Sequence, residues 1–435
     1  MADVLPFCAY RYSINKSEDL FRFVSPPYDM IDDQDILKLY KRDPANVVRI
    51  IQNKKEPQDK KNSDRHKRAA KLLDNWIDLG ILKKDDVPSF YIYKHEFKIK
   101  QGNEEFNFIR TSVICLVKLE DYEKKIIFPH EYTLTGPKID RYELLSETKT
   151  HSELIFGLVP DDSGEFYKKI ISCINEPDLG KFTSDDGVTH YLSKISDKSV
   201  IQNITNILKE KNILIADGHH RYETALSYYK DMQDSRFSYI LMALVSMADP
   251  GLKIRAFHRL LNNKIGSLNI NFHDDLKKFF NVVEIGFSSF DLVASFLQSN
   301  KKSDILFLDS KEKKLYELSL NSNGEKYLKD NSNGKSDLWN KLNVSVINSI
   351  IINNILSLPL DPKTLHEIID YINDAQKVFN LAIKNPQNYP CAFFLHPIDI
   401  STVNSIVYNG ERMPQKSTNF FPKFYSGLVF YRMGS

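Results

Sequence analysis

Cysteine, net charge and uninterrupted apolar runs are all scarce in this chain of 435 residues. Its four cysteines, Cys8, Cys115, Cys173 and Cys391, lie far apart with no short pairing and no zinc-knuckle spacing. That excludes a disulfide framework and predicts free thiols in a reducing compartment. Charge nearly cancels, with 59 Lys+Arg against 57 Asp+Glu, so the chain lacks the overall electrostatic footprint of a DNA-binding or membrane-surface protein. The longest apolar stretch, residues 344–360, is interrupted by Ser345, Asn348, Asn353, Asn354 and Ser357, with Pro359 near its end. It reads as a buried helix and not as a membrane span. The first ten residues hold no basic stretch followed by an apolar run, so no secretory signal is expected. Internal repeats and long low-complexity tracts are also missing. A cytoplasmic location is the expectation.

What is present is the composition of a soluble globular protein, 42% hydrophobic and 27% charged, and a length suited to two or three compact units. Residues 1–150 are expected to form an N-terminal α+β region, residues 151–330 an α/β region, and residues 331–435 a C-terminal α/β region packing on the core. In the first, Ser25-Pro26-Pro27-Tyr28-Asp29 predicts an ordered non-helical loop, because two prolines fix the backbone. Ala69, Leu72, Leu73 and Trp76 recur at helical intervals, predicting a helix over 64–79 that ends at Gly80. Residues 90–99 and 106–119, rich in β-branched and aromatic side chains, predict a hairpin around Gln101-Gly102-Asn103. The stretch 130–138 predicts a loop.

Further on, the pattern predicts strands at 154–159 and 190–195 around a helix at 165–174. Helix (201–209), strand (212–216), turn, helix (221–231) and strand (239–247) then follow, an alternation that argues for an α/β layer. Strands are expected at 279–285, 304–308, 315–320 and 391–395, and helices at 337–356 and 368–382. The polar run 321–335, with Asn-Gly twice, predicts a loop and the best boundary. The fold class predicted is α/β, mixed α+β.

The strongest local signal is Asn212-Ile213-Leu214-Ile215-Ala216-Asp217-Gly218-His219-His220-Arg221, an apolar strand running into a glycine turn and a helix start. The first amides of a helix have no intrahelical partner and carry partial positive charge, which suits an anion. Gly218 allows close approach, Arg221 can fork two phosphate oxygens, and His219 and His220 add donors or a proton-transfer group. An ordinary N-cap and turn would use some of the same residues. Zinc is poorly served, since adjacent histidines diverge and no third ligand has fixed spacing. Mg²⁺ carried in with a nucleotide needs only one or two carboxylates, and Asp29, Asp217, Glu131 and Glu223 are the candidates. Two secondary clusters are His130-Glu131 with Lys138, Asp140 and Arg141, and Lys416-Ser417-Thr418 framed by Pro414 and Pro422, a cation and two hydroxyls able to clamp a phosphate or carboxylate. His258-Arg259 is a weaker signal.

The run from Ala216 to Ala225 resembles the hallmark of the bacterial and archaeal family called domain of unknown function 1015. Pro26-Pro27-Tyr28-Asp29, His130-Glu131 with Thr133, Gly136-Pro137-Lys138, Arg141, Ile155-Phe156-Gly157, His258-Arg259 and the segment 413–423 stand in that family's order. The turn is also similar to the phosphate-binding turns of ParB-like domains and of sulfiredoxin, in a superfamily that includes free-serine kinases. The resemblance implies a ParB/sulfiredoxin-like phosphate-binding core, with ATP or ADP, or CTP, held at Asp217, Gly218, His219, His220 and Arg221. It also implies a small-molecule kinase or nucleotide hydrolase using Mg²⁺, with Asp29 or Glu131 as base, His220 as a further catalytic group, and Lys416 or Arg141 with Ser417 and Thr418 as clamp. The alternative is a non-catalytic ParB-like regulator binding nucleotide or nucleic acid. Sulfiredoxin activity is not expected, because His219 stands where that enzyme needs cysteine. DNA partitioning is not expected either, since no helix-turn-helix follows the turn. The partners expected are a nucleotide and a small hydroxylated metabolite, compatible with a homodimer and without nucleic acid or membrane.

Overall fold

The computed structural model describes residues 1–101, 104–133, 135–174, 178–266, 268 and 271–434. Their architecture is mixed α/β. A nine-stranded sheet runs in the order Ile127–Pro129, Ile213–Asp217, Ile155–Val159, Tyr239–Ser246, Glu104–Lys118, Phe90–Gln101, Thr189–Ile195, Gly180–Thr183, with Val4–Leu5 added beside Glu104–Lys118. A six-stranded antiparallel sheet follows the order Phe280–Phe287, Lys314–Leu320, Ile305–Asp309, Cys391–Phe394, His258–Leu261, Ile369–Ile372. Among the described residues, no helix is long and apolar enough to cross a membrane.

Register in the first sheet decides where chemistry can gather. Ile127–Pro129 pairs in parallel with Ile213–Asp217, so both chains leave the sheet at the same edge. His130 and Glu131 thereby emerge beside the turn at Asp217. Ile155–Val159 runs antiparallel to Ile213–Asp217, which brings its incoming residues, Glu153 and Leu154, to that edge as well. These central strands read as nearly unbroken apolar runs because both faces are covered. Ile213 and Ile215 face one buried cluster, and Leu214 and Ala216 face the other.

The helix His219–Met232 starts immediately after the strand, with Gly218 as its N-cap at φ 89 and ψ 23. This is left-handed backbone that glycine adopts without steric cost. The helix buries Tyr222, Ala225 and Tyr228. These i, i+3, i+6 positions form one stripe facing the sheet.

The hairpin forms from Phe90–Gln101 and Glu104–Lys118; Gly102 and Asn103 of its expected turn, like Leu134, lie outside the described residues. Several elements differ from expectation for identifiable reasons. Pro27 is extended, but Met30 N–H then donates to Pro27 O at 2.9 Å, so Tyr28–Met30 is a single 3₁₀ turn and not loop. The second half of 130–138 enters the helix Thr135–Thr148, since a proline in a first turn breaks no helical bond. The run 321–335 contains the helix Ser322–Asp330, capped by the Asn321 side chain, which accepts from the amides of Asn323 and Gly324. Residues 337–356 break into Asp337–Asn340, Asn343–Val346 and a π-helical segment Ile347–Ile355, whose Ile347, Ile350, Ile351 and Ile352 are all buried. Residues 368–382 are not one helix: Pro362–Ile368 ends where Ile369–Ile372 pairs with His258–Leu261, and Ala375–Lys384 follows.

Candidate functional site

At the shared sheet edge lies a cleft of about 240 Å³ lined by Tyr28, Asp29, Glu131, Tyr132, Asp217, Gly218, His219, His220, Arg221, His366, Gln415 and Lys416. Four segments that sequence analysis singled out separately thus meet in one place. His366, on the helix Pro362–Ile368, was not anticipated, because nothing around it in the sequence sets it apart.

The turn itself is tightly held. Asp217 Oδ1 accepts from the Gly218 amide at 2.8 Å, and Oδ2 accepts from the Lys423 ammonium at 2.9 Å. Burial raises the Asp217 pKa, but Lys423 and Arg221 outweigh it and hold the carboxyl well below its ordinary range. The amides that open the helix receive no side-chain cap. His219 is buried, and its Nε2 accepts from the His130 amide at 3.3 Å. Burial and the neighbouring His130 push its pKa down to about 3, so at neutral pH it is an uncharged acceptor. His130 Nδ1 donates to Ile215 O at 2.7 Å, and its Nε2 meets the Thr418 hydroxyl at 2.8 Å. The two rings lie 4.7 Å apart. Together they fasten the residue after one strand to the turn after the next. His220 faces the cleft, and burial, aided by the positive charge of Lys138, lowers its pKa.

Arg221 does not fork outward. Its Nη1 donates to Leu154 O at 2.8 Å, and its guanidinium lies beneath Gly218, where a Cβ would come within 3.1 Å of Nη2. It supplies positive charge from below the turn. Arg141 is equally occupied: it donates to Ile51 O at 2.7 Å, pairs with Asp140 and stacks over Tyr28 at 4.3 Å. Glu153, not singled out in the sequence, accepts from the Tyr28 amide at 3.3 Å and from the Ser426 hydroxyl at 3.4 Å. Arg141 and Glu153 therefore set the position of the Pro-Pro-Tyr-Asp turn. Asp29 is exposed at its tip, and its carboxylate accepts no hydrogen bond among the described residues.

Glu131 has no such freedom. It accepts from the amides of Lys416, Ser417 and Thr418 at 3.2, 3.1 and 3.3 Å. Burial would raise its pKa, yet the contact with His130 and the charge of Lys416 bring it down to about 2. The Ser417 hydroxyl donates to Pro414 O at 2.5 Å, and the Thr418 hydroxyl is taken by His130. Glu131, Ser417 and Thr418 hold the segment that carries Lys416 into the wall of the cleft. Lys416 is the group this wall presents. Its backbone is left-handed at φ 57, its carbonyl accepts from Arg259 Nη2 at 2.9 Å, and its exposed ammonium makes no ion pair among the described residues. Glu223, the remaining carboxylate flagged near the turn, is engaged by Lys138 and by the Thr133 hydroxyl at 2.8 Å.

A search of curated proteins gives no match. Among solved structures, the chain is similar to a free serine kinase variant in complex with AMP, at 13% identity and TM-score 0.38, covering 72% of this chain and 88% of that one. It is also similar to a conserved hypothetical protein from Pyrococcus furiosus, at 12% identity and TM-score 0.33, over 72% and 91% of the two chains. A third is SbnI with a C-terminal truncation from Staphylococcus aureus, at 10% identity and TM-score 0.35, over 73% and 86%. Likenesses this distant leave the function to be argued from the chain's own geometry. Kinship is firmer: the family model described as Protein of unknown function (DUF1015) matches residues 4–345, and the chain belongs to that family.

Proposed function

We propose that the cleft holds the phosphates of an adenine nucleotide and that the chain is a phosphotransferase acting on a small hydroxylated metabolite. The observation that carries this reading is that two kinds of unsatisfied group line one cleft. The uncapped amides of the His219–Met232 helix and the unpaired ammonium of Lys416 line the same cleft as the open carboxylate of Asp29. Helix N-termini and lysine are standard partners of phosphate. Phosphoryl transfer depends chiefly on positioning and charge stabilisation, which such a cleft can supply. The resemblance of the turn to ParB/sulfiredoxin-like phosphate turns supports the same ligand class.

In this reading His219 and His220 offer backbone amides to the phosphates, since the Gly218 amide is held by Asp217, while Lys416 neutralises phosphate charge. The acceptor hydroxyl oxygen bonds to the terminal phosphorus as the bond to the bridging oxygen breaks. The hydroxyl proton passes to Asp29, and the shortened nucleotide leaves. Asp29 suits the base role better than Glu131, whose lone pairs are taken by three amides. His220, uncharged at neutral pH, lies close enough in the cleft to orient the acceptor. Mg²⁺ would enter on the phosphate oxygens, because Asp217, Glu131 and Glu223 are already satisfied by protein donors.

Calorimetric titration with ATP and ADP tests the binding step. Lys416→Ala is expected to weaken affinity about tenfold, the loss of one charge-assisted contact. Asp29→Asn is expected to keep ADP affinity while slowing nucleotide turnover, in the presence of hydroxylated metabolites and Mg²⁺, by about a hundredfold or more. Absence of nucleotide binding would refute the reading outright. Binding of CTP with no turnover would favour a ParB-like regulator instead.

A further inference from the structure

On the other side of the Pro26-Pro27 turn lies a second cavity, of about 330 Å³, distinct from the cleft and within the size range of small-molecule sites, roughly 300–1,000 Å³. Pro26, Pro27, Ile31, Leu39, Phe421 and Tyr425 form an apolar part of its wall, and charged and polar side chains form the rest. The charged groups around it are mostly committed. Lys38 pairs with Asp35 at 3.4 Å, Arg42 with Asp185 at 3.2 Å, and Lys423 with Asp217 of the cleft at 2.9 Å. Asp186 accepts from the Ser184 hydroxyl at 2.5 Å.

Arg255 is the exception. Its guanidinium carbon lies over the Phe421 ring, 3.3 Å from the centroid, half-buried, and the group makes no hydrogen bond or ion pair among the described residues. The acids nearest in effect, Asp186 and Asp374, act on it only through space. A half-buried cation without an anionic partner is costly. Here the cost is borne in the lining of a preformed, partly apolar cavity, by the side chain best suited to grip a carboxylate with two parallel hydrogen bonds.

We infer that this cavity is a second ligand site, which takes a small organic carboxylate with a flat or apolar body and uses Arg255 as its charge partner. The apolar body lies against the proline, isoleucine and tyrosine wall, and the carboxylate faces the open edge of the guanidinium.

Benzoate and hexanoate are the probes, followed by saturation-transfer NMR and by titration of the full chain. Benzoate is expected to bind the wild-type protein. Arg255→Met should weaken it about tenfold, the loss of a charge-assisted pair. Lys416→Ala, which alters only the cleft, should leave it unchanged. Should Arg255→Met fail to fold, Ile31→Trp, which fills the apolar wall and keeps the arginine, is expected to abolish binding on its own. The inference is overturned if neither acid binds, if a folded Arg255→Met binds as wild type does, if Ile31→Trp binds undiminished, or if Lys416→Ala removes the binding. None of these outcomes depends on nucleotide, so failure here and failure of the phosphotransferase reading are separable.

Discussion

Glu131 lines the candidate cleft with both carboxylate oxygens already engaged. Three consecutive amides, of Lys416, Ser417 and Thr418, point at its two oxygens, and this fan of donors turns a terminal segment into a rigid wall. Hydrogen bonds to a charged group contribute about 1.5–3 kcal/mol each at most, and a shared set contributes less than its sum. Glu131→Gln is accordingly expected to cost about 2 kcal/mol of stability near neutral pH. The pH dependence has a definite sign. The Glu131 carboxyl is depressed from its ordinary 4.5 to about 2, so its contribution is complete above the higher value and disappears as pH falls through the lower one. Melting curves of the two proteins should therefore differ by a constant interval above about pH 5 and converge near about pH 2. An interval that ignores pH would show that the amides are held by something else. The same residue marks the limit of reading single positions. Residue type and neighbourhood singled out Glu131, Ser417 and Thr418 as candidates, but their mutual satisfaction became visible only in three dimensions. Glu153 and His366 were missed, one because its partner, the Tyr28 amide, lies 125 residues away, the other because a lone histidine on a short helix carries no pattern.

Elements whose pattern is purely local were legible. The strand Ile213–Asp217 and the helix His219–Met232 stand within two residues of where apolar periodicity and the Asp-Gly turn put them. Elements set by long-range contact were not. Asn-Gly at 323–324 reads as a turn, yet Gly324 is there because a Cβ would come 2.3 Å from Phe279 O. The glycine serves close approach within a helix, a use that its sequence neighbours do not disclose. Residues 369–372 alternate too briefly to announce a strand, and they become one by pairing with His258–Leu261. Gly157 makes the same point inside the first sheet. It sits between two neighbouring strands, where a Cβ would meet Leu244 Cδ2 at 2.6 Å and Ile213 Cγ2 at 2.9 Å, both from fully buried side chains. Overpacking of this kind costs about 1–3 kcal/mol. Gly157→Ala should lower stability by that amount in denaturant titration and, because Ile213 begins the strand that delivers Asp217, should weaken nucleotide binding with it. Unchanged stability would mean that the two side chains repack freely.

Across the whole molecule, the cleft lies where the two sheets meet. Lys416 is fastened from one side by Glu131, just past the edge strand of the first sheet, and from the other by Arg259, buried on the strand His258–Leu261 of the second. The sequence showed both anchors as isolated motifs and gave no sign that they hold one residue. A second link crosses the Pro-Pro-Tyr-Asp turn. Pro26 and Pro27 face the carboxylate cavity while Tyr28 and Asp29 face the cleft. Lys423, which lines that cavity, holds Asp217 on the cleft side. A carboxylate bound beside Arg255 competes for the Lys423 ammonium, leaves Asp217 less neutralised and adds negative charge behind the turn. All of these disfavour phosphate at Gly218. Saturating benzoate is therefore expected to weaken ADP binding several-fold, and by linkage saturating ADP must weaken benzoate by the same factor. Lys423→Met should bind ADP less tightly than wild type and respond less to benzoate. Equal ADP affinity with and without bound benzoate would show that the two cavities share a loop and a lysine without exchanging free energy.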